Sequence, residues 1–219
     1  MNAGSGRTGA TTVYRGQVPD VAAIASFDDD DPPPGESPWV DGVGPTRQVT
    51  VVDPDPGWPD VFASLADVVR GALGPRVLQL EHMGSTAVPG LAAKPIIDID
   101  LVVADPAAEP DYVPPLVAAG FVLRVREPWW QHRMLRLDDP LCNLHVVGPE
   151  SPVPWRDRVF RDHLRRCPDD RNLYARTKRE ASRAALAAGE HGMQYNRRKQ
   201  DVVREIHHRA FVAAGLLPG

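Results

Sequence analysis

The sequence predicts an α+β fold: a mixed β-sheet with flanking helices and a C-terminal helical segment. Three observations lead there. Short apolar, β-branched runs that suit strands recur between residues 76 and 147. Two stretches between them, 60–73 and 110–119, read as helices. From Pro154 to the end, the apolar residues fall at helical spacing.

Taken in order, residues 1–46 read as a flexible Pro/Asp-rich tail. The run Asp28–Asp31, followed by three prolines, suits neither a helix nor a strand interior. Within that tail, Val18–Phe27 fits a short helix or docking segment. Residues 47–150 read as the α/β core and 151–219 as helices packing on it. Gln48–Val52 is a short strand. Pro59 suits a first helical turn, and Val61, Phe62, Leu65, Val68, Val69 and Leu73 form one stripe along Asp60–Leu73. Gly74-Pro75 ends that helix. Arg76–His82 is a strand, a short helix follows near Ser85, and Lys94–Val103 is the central strand. Pro110–Ala119 is a helix stopped by Gly120. Phe121–Arg126, Trp129–Leu137 and Asn143–Val147 are three more strands, the last two joined by a turn at Asp138-Asp139-Pro140. Helices Pro154–Arg166, Arg171–Ala188 and Gln194–Ala214 close the chain, with Asp170 placed to cap the second.

The chemistry concentrates between His82 and Asp100, HMGSTAVPGLAAKPIIDID. Along a strand, side chains alternate faces, so Asp98 and Asp100 point one way and Ile97, Ile99 and Leu101 the other. Two neighbouring carboxylates repel and resist burial unless neutralised. Hard oxygen ligands of this kind suit Mg²⁺ or Mn²⁺. Gly84 lets backbone N–H groups approach a ligand, and Ser85 adds a hydroxyl, which together suit a phosphate. Lys94 either meets a phosphate or leads, solvated, into Pro95. Arg161, Lys178 and Lys199 on the later helices either reach an anionic ligand or solubilise their faces. Trp129 and Trp130 suit packing or stacking on a base.

Glu81–Ile99 resembles the GrpB family, also called UPF0157, and Gly84-Ser85 followed by Asp98-x-Asp100 resembles the signature of the polymerase-β-type nucleotidyltransferase superfamily. The likeness continues in Asp53–Pro59, Asn143–Val147 and Phe160–Arg165 and covers roughly residues 48–211. In some proteins the domain is fused to dephospho-CoA kinase. The resemblance implies a nucleotidyltransferase-like sheet and a metal-dependent enzyme that moves a nucleotidyl group from a nucleoside triphosphate to a small-molecule hydroxyl acceptor. Asp98 and Asp100 would be catalytic and would hold Mg²⁺ (or Mn²⁺), while Gly84 and Ser85 cradle phosphates. His145 falls where such enzymes place a third carboxylate, so it either completes the metal shell or acts on the acceptor. Arginines of the 129–137 strand lie near the pocket in the resemblance. Arg133 and Arg136 have opposite parity, so at most one faces the site in a regular strand; the resemblance points to Arg133, with a surface arginine as the alternative. The alternative is a GrpB-type domain that binds a nucleotide or a CoA-like ligand and transfers nothing.

A net charge of −4 argues against general nucleic-acid binding. The charge is uneven. From Glu150 onward there are 15 Lys and Arg against 9 Asp and Glu, a net +6, which leaves −10 on the first 149 residues. Such halves suit a cleft for an anionic ligand or, equally, a solvated basic tail. Cys142 and Cys167 have no metal-ligand spacing, the first residues lack the apolar core of a signal peptide, and no apolar run approaches a membrane span of about 20 residues. A cytoplasmic protein is expected.

Overall fold

The structure is a computed structural model that describes residues 18–27, 32–42, 44–45 and 50–219. The acidic run Asp28–Asp31 and the start of the strand predicted at Gln48–Val52 lie outside the described residues. The end of that strand survives as a bridge in which Val52 N–H donates to Ala93 O at 2.8 Å.

A short helix, α1 (Val21–Ala25), forms where the sequence suggested one. Helix α2 (Trp58–Leu73) begins with Pro59 in its first turn and ends at Gly74, whose φ of 55° suits glycine. Strand β1 (Gln79–Met83) starts later than predicted because Gly74–Arg76 forms a 3₁₀ turn closed by Val77 N–H to Gly74 O. The helix expected near Ser85 is one 3₁₀ turn, Ser85–Ala87. Strand β2 (Ile97–Val102), helix α3 (Glu109–Ala118) and strand β3 (Val122–Glu127) follow closely as predicted. Strand β4 (His132–Asp138) begins three residues late, because Pro128–Trp130 folds into a 3₁₀ turn and Gln131 takes a left-handed φ of 48°. Strand β5 (Leu141–Val147) returns beside it. Helices α4 (Val153–Arg166), α5 (Pro168–Ala187) and α6 (Gly192–Ala213) complete the chain. Pro168 starts α5 rather than preceding it, since proline tolerates a first-turn position. Asp170 is therefore inside the first turn and not a cap.

The five strands form one mixed sheet in the order β1-β2-β5-β4-β3. Only the β2–β5 pair is parallel; β1–β2, β5–β4 and β4–β3 are antiparallel. One face carries Ile99, Leu101, Leu135, Leu144 and Val146, all fully buried against Leu65, Val69 and Leu73 of α2 and Tyr112 and Leu116 of α3. Burying each such side chain stabilises the fold by about 1.5–3 kcal/mol. The other face is polar and looks toward α4–α6. Those helices pack on each other through Leu164, Tyr174 and Ile206 and reach the core through Val88 and Leu91.

The residues before the core also dock. Ile24 is buried, and the Phe27 ring meets His207 edge-on at 5.1 Å and Phe211 at 6.4 Å. Farther on, Arg126 N–H donates to Pro38 O at 2.8 Å, and Trp39 bridges Val125 on β3. Among the described residues, no helix is long and apolar enough to cross a membrane.

Candidate functional site

Between the polar face of the sheet and α4–α6 lies a cavity of about 740 Å³, within the usual range of a small-ligand site. The parity of β2 sets its floor. Asp98 and Asp100 face the cavity, while Ile97, Ile99 and Leu101 point into the core. Register puts Glu81 opposite Asp100 on one side and His145 opposite Asp100 on the other. Gly84 has a φ of 67°, and a Cβ there would overlap Asp98 Oδ2, so only glycine lets the loop lie this close to the carboxylate. Ser85 borders the same cavity.

The carboxylates are under strain. Asp98 Oδ1 accepts a hydrogen bond from Asn143 Nδ2 at 2.9 Å. Burial outweighs that bond and raises the Asp98 pKa to about 6. Asp100 is only 2 % exposed, and its Oδ2 has no hydrogen-bond partner. Burial drives its pKa well above the ordinary range, and Asp157, Asp98 and Glu81 push the same way. Asp157, on α4, also lines the cavity. A third carboxylate thus approaches from a helix, where sequence reasoning did not look. The neighbouring Glu81 charge is balanced: Arg158 and Arg161 both donate to it, Arg161 at 3.0 Å.

Cations face these acids across the cavity. Lys94 lies 3.7 Å above the Tyr195 ring, and burial, then Lys199, brings its pKa down to about 8. Lys178 is 2 % exposed, has no hydrogen-bond partner at Nζ, and sits 4.3 Å above the Tyr174 ring. Burial and then Lys199 hold its pKa well below an ordinary lysine. Lys199 and Arg161 line the same space, Arg161 being tied to Glu81, His82 O and Asp162. Among the described residues, Lys178 Nζ and Asp100 Oδ2 thus border one cavity without a hydrogen-bond partner, which is costly for buried polar atoms.

Arg133 is a correction. It leaves the cavity and pairs with Glu109 of α3 on the opposite face, 5 % exposed. Arg136 takes its place: it lines the cavity and donates to Asn143 Oδ1 at 3.2 Å and Asp138 Oδ1 at 3.0 Å. The parity rule was sound, but the register on β5 sets Arg136 and Met134 beside the cavity residues Asn143 and His145, and Arg133 beside buried Val146. Gly84, Ser85, Lys94, Asp98, Asp100, His145, Arg161, Lys178 and Lys199 all meet at the one cavity.

The GrpB protein family description matches residues 48–209. The chain belongs to the GrpB family. A UPF0157 protein of Halalkalibacterium halodurans is 45% identical over 163 residues, 74% of this chain and 82% of the relative. A UPF0157 protein of Streptomyces coelicolor is 40% identical over 167 residues, 76% of this chain and 86% of that one. A dephospho-CoA kinase of Mycolicibacterium paratuberculosis is 32% identical over 172 residues, which span 64% of this chain but 42% of the kinase. The crystal structure of GrpB from Enterococcus faecalis superposes with a TM-score of 0.64 at 24% identity, covering 75% of this chain and 99% of that one. The family match starts after the docked N-terminal residues, whose Trp39, Gly44 and Pro45 nevertheless border the cavity.

One further cluster in this GrpB protein lies outside the cavity floor. His163, Cys167 and Asp170 have ligand atoms within 4.8 Å of one another, so they could hold a metal ion. Among the described residues they are the only group of three or more such side chains that does so. The sequence reading gives Cys167 no ligand spacing; the signal was His163, four residues before Cys167 across the α4–α5 corner, with Asp170 three residues beyond. Asp170 is already engaged, however, by His163 Nε2 at 2.6 Å and by the Arg209 guanidinium at 2.7 Å.

Proposed function

We propose that this protein is a metal-dependent nucleotidyltransferase of the polymerase-β type, moving a nucleotidyl group from a nucleoside triphosphate to a hydroxyl acceptor. The observation that carries the reading is the half-buried Asp98 beside the buried Asp100, whose Oδ2 lacks a hydrogen bond among the described residues, in one cavity with Lys94, Arg136, Lys178 and Lys199. The donor set suits a hard divalent cation. Mg²⁺ typically takes one or two carboxylates and fills its other positions with phosphate oxygens and water, so a third converging protein ligand is not required. Held by Asp98 and Asp100, Mg²⁺ (or Mn²⁺) supplies charge stabilisation at the transferred phosphoryl group and the departing pyrophosphate.

The protein's own residues do the rest. Gly84 and Ser85 approach the phosphates, and the three lysines and Arg136 balance the triphosphate charge. The acceptor hydroxyl oxygen bonds to the α-phosphorus, the bond from that phosphorus to the bridging oxygen breaks, and pyrophosphate leaves with the electron pair. The hydroxyl proton passes to solvent. His145 meets the acceptor side as a neutral imidazole, since burial and the adjacent His132 hold its pKa down to about 3.

Thermal unfolding in the presence of each nucleoside triphosphate, with and without Mg²⁺ or Mn²⁺, tests the binding half. A stabilisation of about 2.7 kcal/mol is expected at a hundredfold excess over Kd, requiring metal and lost in Asp98→Ala. Pyrophosphate release with hydroxyl acceptors tests transfer. No stabilisation by any nucleotide, on protein that unfolds cooperatively, removes the reading. A second reading draws on the dephospho-CoA kinase relative: the cavity holds a CoA-like anion without transfer, in which case CoA stabilises the protein without metal.

A further inference from the structure

Three side chains form a line that ends in the cavity. Glu127, the last residue of β3, is the register partner of His132, the first of β4. His132 Nδ1 lies 2.6 Å from Glu127 Oε2. On its other side, His132 Nε2 lies 3.1 Å from His145 Nδ1, with the two rings stacked at 5.3 Å and 18°. The Nε2 of His145 then faces the cavity, 4.0 Å from Asp98 Oδ1.

The proton positions follow from the carboxylate. A carboxylate only accepts, so His132 carries a proton on Nδ1. In neutral His132 the Nε2 is then an acceptor, and His145 Nδ1–H must donate to it. That leaves His145 Nε2 without a proton. The far end agrees. At 4.0 Å, Nε2 makes no hydrogen bond to Asp98 Oδ1, which is served by Asn143 Nδ2 at 2.9 Å. The competing arrangement, in which His132 donates from Nε2, would put a proton on His145 Nε2, 4.0 Å from Asp98 Oδ1, and is the outcome that the test below distinguishes.

We infer that Glu127 and His132 are positioning residues that lock His145 in its Nδ1–H form, so that its Nε2 lone pair accepts a hydrogen bond from the acceptor hydroxyl and aims that oxygen at the reacting phosphorus. The lock stands on geometry alone; the use made of it rests on the transferase reading. Orientation of a ring through its other nitrogen is a familiar device in metal and catalytic sites.

Long-range ¹H–¹⁵N NMR of the histidine rings in the full chain, at mildly alkaline pH, reads the tautomer directly. Wild-type His145 is expected to show a protonated Nδ1 and a bare Nε2. In Glu127→Ala the lock is released and His145 switches to Nε2–H. In Glu127→Gln the amide carbonyl still accepts from His132 Nδ1–H, and the wild-type tautomer returns. A wild-type His145 with Nε2–H, or charged on both nitrogens, overturns the inference, as does an unchanged tautomer in Glu127→Ala. Should Glu127→Ala fail to fold, the wild-type spectrum alone still decides. In a transfer assay, Glu127→Ala lowers kcat by about tenfold or more with the KM for nucleotide unchanged. Loss of that effect with the tautomer switch intact would fault the transferase reading, not the lock.

Discussion

The two faces of strand β2 differ in what they ask of their neighbours. Ile99 and Leu101 are completely buried, and α2 and α3 satisfy them by contact alone. Asp98 and Asp100, on the same six residues of chain, are less well served: Asn143 donates to Asp98 Oδ1, but among the described residues nothing bonds Asp100 Oδ2. Their pKa values rise, a lysine opposite them lacks a hydrogen-bond partner, and a glycine is held at positive φ to let the loop approach. The comparison separates two uses of one strand. The apolar face provides stability, and the polar face costs stability, as functional sites commonly do.

The largest test of that separation is Ile99→Ala, which should lower unfolding stability by about 2–5 kcal/mol in urea titrations. The surviving folded fraction should keep its nucleotide affinity, because the cavity face is untouched. Lys178→Met works the other way. Removing a buried ammonium that lacks a hydrogen bond should raise the stability of the ligand-free protein by about 1–3 kcal/mol. It should also weaken nucleotide binding in calorimetry by tenfold or so, the effect of about 1.4 kcal/mol. A loss of stability in this variant would assign Lys178 to the core.

The smallest effect is in the pH profile, where the two kinds of buried group have opposite signs. Asp98 is raised from 3.8 to about 6, so its contribution is present below pH 3.8 and is lost as pH climbs through about 6. His82 is lowered from 6.5 to about 4, first by burial and then by Arg165 and Arg161. It stacks on Phe62 and bonds Thr86 at 2.9 Å. Its contribution is present above 6.5 and is lost as pH falls through about 4. Between those limits the two act in opposite directions. Relative to wild type, Asp98→Asn should tilt the profile toward greater stability at higher pH and His82→Gln toward greater stability at lower pH, both read from urea midpoints.

Much of this was legible in the sequence because strand parity is a strong rule. It placed Asp98 and Asp100 together and set Ile99 against the core. It also reduced the 129–137 arginines to one candidate, but the choice between Arg133 and Arg136 needed the β4–β5 register, which sets Arg136 beside Asn143 and Arg133 beside Val146. Alternation alone does not say which parity faces the cavity. Asp157 was invisible for another reason. On α4 it sits among Arg156, Arg158 and Arg161 and reads as one charge on a solvated face, and only the packing of α4 over β1 and β2 brings it to Asp100. Likewise Glu127, His132 and His145 are too far apart in sequence to read as a line until the β3–β4–β5 register aligns them.

The docked N-terminal residues carry a last consequence. Trp39, Gly44 and Pro45 border the cavity, yet the family match begins at residue 48. The family match thus covers the floor of the cavity, while part of its rim comes from residues ahead of that match. Substitutions at Trp39, Gly44 or Pro45 can therefore alter the rim without touching the carboxylates on the floor.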